Sequence, residues 1–413
     1  SSDWSSDVCS SDLTDVDKDG FDSDKVSGGT DCDDNDKSVH PDAPEIPYDG
    51  KDQNCDSSDL FTTGAFTVAQ APSGYSIGSY FGLAGNGSQQ VVAYRQSGSG
   101  DYQIRAQVFS PSGGKVGSSQ VVYSATQSVS DPAVASDGND FLVVWIRYTS
   151  PATIYARRVT KSGSVSGFPI QLRSTSNSLY SPVSVGYAGG SYLVAWRERK
   201  SPDYFVYAQR VNTSGSKLGG LLTLHSTTSS CNWPDVGGGG SSNFLVSWYE
   251  TTGSTGYDIF ARRVSPSGMV LGGTLTLCSA ANSQYRPASA VDGSGNHAVV
   301  WEDYRPSSHT DIYLQRVSSS GGIAGGNVVV SSAGSYQRYA DIAYCGGTYT
   351  AVWRDQRHST ATTIYRQRMT TSGSATGTNA GINELVYASN SSTYYPSAVC
   401  AGSQLVVAWG ESG

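Results

Sequence analysis

An apolar run closed by a large aromatic residue recurs at a nearly fixed interval along this chain. Tyr94, Trp145, Trp196, Trp248, Trp301, Trp353 and Trp409 each end such a run, at spacings of 51, 51, 52, 53, 52 and 56 residues. A period of this size makes each unit one supersecondary structure that buries its faces only by stacking on its neighbours. A representative unit reads Pro132-Ala-Val-Ala135, Phe141-Leu-Val-Val-Trp145, Ile154-Tyr-Ala-Arg-Arg-Val159 and Pro169-Ile-Gln-Leu172, with turn-rich segments between. That is four short strands per unit. The second is apolar on both alternating sets, Phe141, Val143 and Trp145 against Leu142 and Val144, so it needs cover on both faces. The pattern predicts an all-β chain, a β-propeller of about seven four-stranded blades. Immunoglobulin-like domains need about 100 residues and seven strands per unit, and parallel solenoids turn at roughly half this period or less. The interval rejects the first and disfavours the second.

Complete units start near 80, 131, 182, 234, 287 and 340, and a seventh begins at Pro396 with two strands, Ser397 to Cys400 and Leu405 to Trp409. Upstream, Gly64 to Gln70 reads as a fourth strand, so the closing blade is expected to be built from both termini. Its third strand is missing from the sequence, which reads as C-terminal truncation. Charged residues make up 15% of the chain and 48 residues are Gly, a composition that disfavours helical bundles. The longest apolar run, Phe141 to Ile146, is far short of the roughly 20 residues of a spanning helix.

Charge divides the chain. Residues 14 to 59 hold 15 Asp and Glu against 4 Lys, net −11, whereas residues 60 to 413 are net +6. The second region is too weakly basic, with scattered Arg, to argue for nucleic acid. Three segments are expected: 1–13, 14–59 and 60–413. The first, from Asp3-Trp4-Ser5-Ser6-Asp7 to Leu13, resembles a translated sequencing-library adapter and is set aside as artefactual, Cys9 with it. The first Met is Met269, so the chain reads as a processed product or fragment from which any signal peptide is missing.

Asp15, Asp17 and Asp19 alternate and are followed by Gly20 and Phe21. Alternate carboxylates aim inward, glycine allows the turn and the Phe21 carbonyl can add an oxygen, which is the first half of a calcium loop. An EF-hand would have Glu where Val26 stands, so further ligands must come from elsewhere: Asp22 and Asp24 locally, then Asp31, Asp33, Asp34 and Asp36, then Glu45, Asp52, Asn54 and Asp56. The competing reading is a solvated acidic linker. From Asp15 to Asp56, the DxDxDG start, DCDD centre, PEIPYDG stretch and DxNCD end resemble the bacterial extracellular MopE-type metal-binding motif, which implies metal binding and no reaction. Cys32 and Cys55 sit inside the ligand clusters, and a disulfide between them would clamp a segment too small for an apolar core. Zinc thiolate ligation is the weaker reading, for want of paired Cys or His at short spacing. The expected cofactor is structural Ca2+.

The repeat, with units reading LVVW, then IYARRV, then SG, resembles uncharacterised bacterial secreted propellers, which implies architecture and an extracellular setting without a reaction. Sialidase-type SxDxGxxW boxes do not occur. Gly74-Tyr75-Ser76-Ile77-Gly78 matches GxSxG but lacks the strand-to-helix context that motif requires. His40, His225, His297, His309 and His358 show no metal-ligand spacing. Two features recur by unit: Glu198, Glu250, Asp303 and Asp355 two residues after the unit Trp, and Tyr180, Trp233, Tyr285, Tyr339 and Tyr395 just before the first strand. An antiparallel meander puts both at one edge, a physical basis for a glycan-binding face. Equally, aromatics can wedge between blades and the acids can pair with Arg305, Arg357 and their equivalents. Cys231, Cys278, Cys345 and Cys400 stay open as to pairing. The sequence reads as a secreted or surface, monomeric, non-catalytic propeller acting in adhesion or in recognition of glycan or protein. The alternative is a polysaccharide hydrolase or lyase using the channel.

Overall fold

A computed structural model describes residues 14–41, 43, 53–55, 65–253, 256–357, 362–376, 383–389, 391–402 and 404–411. The adapter-like residues 1–13 lie outside that set. The chain divides into two compact units, Ser1–Ala65 with Leu385–Ala388, and Phe66–Glu384 with Ser389–Gly413. Among the described residues there is no helix, and none is therefore long and apolar enough to cross a membrane.

The larger unit is a propeller. Six four-stranded antiparallel sheets span 76–125, 133–175, 178–227, 231–278, 284–331 and 337–389, and a two-stranded seventh spans 393–411. The first strands are Ser76–Gly85, Ala133–Ser136, Ser178–Ala188, Cys231–Gly237, Gln284–Val291, Gln337–Cys345 and Thr393–Ala401. Each touches the next, and the seventh touches the first, so seven first strands close a ring. Closure protects inner edges that would otherwise recruit other strands.

The second strands form the core. Phe141 through Ile146 are all fully buried, and Trp145, Trp196, Trp248, Trp301 and Trp353 are fully buried in their own blades. Each tryptophan meets an aromatic residue on the third strand, as Trp301 meets Tyr313 at 6.5 Å and Trp353 meets Tyr365 at 6.4 Å. The fourth strand leaves register where Gly117, Gly167, Gly219, Gly272 and Gly325 take φ of 64–74°. That left-handed conformation suits glycine and re-aims the outer strand.

One expectation is overturned. Ala65–Gln70 forms no strand: Phe66 packs on Phe109 at 5.4 Å, and Val68 and Ala69 join the cluster of Val92, Tyr94 and Phe109 in the first blade. A fourth strand needs a third to pair with, and the seventh sheet has only two, so the segment instead lays half-buried Val68 and Ala69 on the first blade and leaves Phe66 exposed beside Phe109.

Candidate functional site

The acidic segment folds around its own amides. Asp15 Oδ1 accepts from the Lys18 and Asp19 amides at 2.7 and 3.2 Å, and its Oδ2 from Gly20 at 3.1 Å. Asp17 and Asp19 accept from the Asp19 and Phe21 amides at 3.2 and 2.9 Å. A bridge between Ser23 and Asp31 joins the second stretch to the first, and Asp34 accepts from the Val16 amide at 2.8 Å. Two overlapping groups result, Asp15, Asp17, Asp19 and Asp17, Asp31, Asp34, with ligand oxygens within 4.8 Å of one another in each. Oδ2 of Asp17, Asp19 and Asp31 is buried without a hydrogen-bond partner. Burial first, then crowding by neighbouring carboxylates, pushes the Asp17 and Asp31 carboxyls above the usual carboxylate range. Buried acceptors facing like charges are relieved by a cation, and an all-oxygen set fits a hard one.

Other candidates are placed differently. The Phe21 ring stacks on His40 at 5.1 Å, a contact that does not involve the carbonyl expected to serve as a ligand. Asp24 and Asp33 are exposed, and Asp36 accepts from the Ser38 hydroxyl at 2.6 Å. Asn54 is half-buried beside Cys55, whose disulfide to Cys32 spans Cα atoms 5.6 Å apart. Glu45, Asp52 and Asp56 lie outside the described residues.

On the propeller, the four recurring acids do not meet solvent. Glu198, Asp303 and Asp355 are fully buried and Glu250 nearly so. Trp301 and Trp353 donate their indole N–H to Asp303 and Asp355 at 2.9 and 2.8 Å, and Arg305 and Arg357 close ion pairs on them at 2.8 and 2.7 Å. Glu198 takes Arg173 at 2.7 Å and Glu250 takes His225 at 2.7 Å. These acids hold the tryptophan and the blade edge together, so direct acceptance of ligand hydroxyls is corrected to a packing role.

The aromatic set divides in two. The first strands leave register at Asn232/Asp235, Tyr285/Ala288, Arg338/Asp341 and Tyr394/Ser397. Within these bulges Trp233, Arg286, Tyr339 and Tyr395 adopt φ of 55°, 51°, 58° and 46°. The bulge turns those four side chains inward. Tyr80, from the first blade, meets Trp233 at 5.4 Å and Tyr395 at 3.6 Å, while Tyr395 meets Tyr339 at 4.1 Å. Arg286 lies over Trp233 and Tyr339 at 5.2 and 5.0 Å and pairs with buried Glu302 at 3.0 Å. Tyr180 and Tyr285 fall one residue earlier and face elsewhere, under Arg197 and against Tyr249 and Tyr304 respectively. Sequence reading missed Tyr80 and Arg286. Their signal was the shared position one residue before Phe81 and Pro287, matching Trp233 before Pro234 and Tyr395 before Pro396.

Along the first strands runs a cavity of about 690 Å3, lined among others by Asp235, Asp341, Ser184, Ser289 and Ser397. Asp235 accepts from Ser184 and Ser289 of the flanking blades, and Asp341 from the Ser397 hydroxyl at 2.7 Å and the Ala398 amide at 2.9 Å. Burial pushes the Asp235 carboxyl up to about 6, with Asp341 adding to the rise. Its unfolded value lies near 3.8, so the penalty is absent at low pH and grows as pH rises through about 4 to 6. Because Asp235 is only half-buried and therefore partly screened, about 2 kcal/mol of propeller stability should be lost across that window. Urea unfolding at pH 4 and pH 7 checks this: Asp235→Asn should flatten the loss, and an equal slope in wild type and variant would refute it.

Residues 31–59 match the MopE copper-binding family description, a "putative metal-binding motif". No curated protein matches the chain. Among solved structures, the chain is similar to an endo-arabinase from Bacteroides thetaiotaomicron VPI-5482, at 11% identity and a TM-score of 0.34, over 55% of this chain and 88% of that one. It is also similar to a subtype N10 neuraminidase-like protein of A/little yellow-shouldered bat/Guatemala, at 10% identity and a TM-score of 0.45, over 68% and 90%. Likenesses this remote bear on neither reaction nor ligand.

Proposed function

We propose that this chain is a secreted or surface-displayed, non-catalytic propeller acting in adhesion or in recognition of glycan or protein, with an N-terminal segment ordered by structural calcium. The observation that carries the metal reading is the pair of overlapping carboxylate groups, Asp15, Asp17, Asp19 and Asp17, Asp31, Asp34, in which Oδ2 of Asp17, Asp19 and Asp31 is buried and partnerless. Copper favours imidazole or sulfur donors, and among the described residues neither joins the two carboxylate groups. Bound there, calcium would neutralise part of a segment of net −11 and hold its turns together. Calorimetric titration of the whole chain should give calcium binding near 10⁻⁴ to 10⁻³ M, lost in Asp31→Asn. Heat from copper and none from calcium would overturn the assignment.

Recognition is supported by the aromatic cluster at the channel mouth, and the two disulfides suit an oxidising compartment. The second reading, a polysaccharide hydrolase or lyase, draws on Asp235 and Asp341, because a raised carboxyl in a cavity suits a general acid. Against it, both carboxylates already bind serines of adjoining blades. A glycan array, with calcium and with chelator, separates the two. Binding without new reducing ends supports recognition, and cleavage lost in Asp235→Asn supports the enzyme.

A further inference from the structure

The face where the second strands end carries arginines that close no ion pair among the described residues. Among the described residues Arg197, Arg199, Arg338 and Arg354 form no ion pair, whereas four neighbouring acids are engaged: Glu198 by Arg173, Glu302 by Arg286, Asp303 by Arg305 and Asp355 by Arg357. Nε of Arg197, Arg338 and Arg354 is buried without a hydrogen-bond partner. Each guanidinium lies on tyrosine instead. Arg197 sits over Tyr180 at 4.1 Å and Tyr204 at 4.9 Å, Arg199 over Tyr204 at 5.2 Å, and Arg354 over Tyr394 at 5.5 Å. Arg338 lies over Tyr336 at 4.3 Å and donates to the Tyr304 hydroxyl at 3.0 Å. A ring quadrupole positions a guanidinium without cancelling its charge. Blades three and six therefore each present two arginines that close no ion pair, held beside phenol hydroxyls.

We propose that this face binds an acidic polysaccharide, a chain whose sugars carry carboxylate or sulfate groups. The inference rests on the recognition reading above and narrows its ligand. Guanidinium forks engage planar carboxylates and sulfates bidentately, and the phenol hydroxyls exchange hydrogen bonds with sugar hydroxyls. Two cation pairs on separate blades suit a long repeating ligand that makes several weak contacts at once. Single-stranded nucleic acid is also a polyanion, but it binds by stacking bases on open aromatic faces, and here arginines cover those faces.

The test uses four immobilised probes at one calcium concentration: dextran sulfate, carboxymethyl-dextran, neutral dextran and an oligothymidylate. Both charged dextrans should bind, neutral dextran at least about tenfold more weakly, with affinity falling steeply as salt rises. Arg338→Gln/Arg354→Gln and Arg197→Gln/Arg199→Gln should each lower affinity about tenfold and flatten the salt slope. Arg338→Lys/Arg354→Lys should recover part of it. Thermal unfolding checks that the variants fold, and if a double variant fails to fold, exposed Arg199→Glu alone should still weaken binding. Equal binding to neutral dextran would overturn the inference and leave glycan recognition standing, whereas binding to none of the three dextrans would overturn the inference and leave protein recognition as the surviving form of that reading. Oligothymidylate binding as tightly as dextran sulfate, or unchanged binding in every arginine variant, would also overturn it.

Discussion

Trp301→Ala is expected to lower propeller stability by about 3 to 5 kcal/mol, the range for deleting a large buried aromatic. Trp301 is fully buried, packs on Tyr313, and donates its indole N–H to Asp303 at 2.9 Å. Removal opens a cavity between blades that are fixed by their neighbours and so collapse poorly. It also takes a donor from Asp303, a fully buried carboxylate left with the Arg305 side chain and amide and the Cys278 thiol. Trp233→Ala provides the contrast. That side chain is half-buried at the channel mouth, held on one side by Arg286 and Tyr80. Its loss should cost clearly less, about 1 to 2 kcal/mol, as a partly collapsible site does. Urea unfolding of both variants measures the difference, and similar midpoints would show that the periodic tryptophans are not the core.

What the sequence carried was periodic or local. The tryptophan interval reports a stacked unit whatever the detail of its turns, and alternation within Phe141–Trp145 reports burial on both faces, so architecture and blade count were readable. The carboxylate grouping of Asp15, Asp17 and Asp19 was readable because these residues are neighbours in the chain, and that of Asp31 and Asp34 because they share an acidic cluster. Bulges were not. One extra residue at Trp233, Arg286, Tyr339 and Tyr395 flips a side chain across the strand, so Tyr180 and Tyr285 were grouped with residues they do not face, and Arg286 was missed because it is not aromatic. Nor can spacing say whether a carboxylate at a strand end turns outward or folds back on its own tryptophan. Asp303 and Asp355 fold back because Arg305 and Arg357, two residues on, return to pair with them.

A disulfide holds the last blade to the ring. Cys345 and Cys400, at matching ends of the sixth and seventh first strands, form a disulfide with Cα atoms 5.1 Å apart. The seventh sheet has two strands and half-buried apolar residues at Leu405 to Ala408, so it contributes less core than any other blade. Its further ties to the sixth blade include the Ser397 hydroxyl and Ala398 amide on Asp341. The crosslink closes a loop of about 55 residues, for which chain entropy alone gives a stabilisation of about 4 kcal/mol. Cys345→Ser/Cys400→Ser should approach that loss, and the loss should be local. Amide hydrogen exchange along Thr393–Ala401 and Gln404–Glu411 should accelerate at least about 100-fold, while the second strands of blades two to five, where Trp145 to Trp301 are fully buried, keep their protection. Unchanged exchange in the last two strands would mean that packing against the sixth and first blades holds the seventh without the crosslink. Uniform acceleration throughout would mean that the ring unfolds as one cooperative body, so that opening the seventh blade costs as much as unfolding the whole.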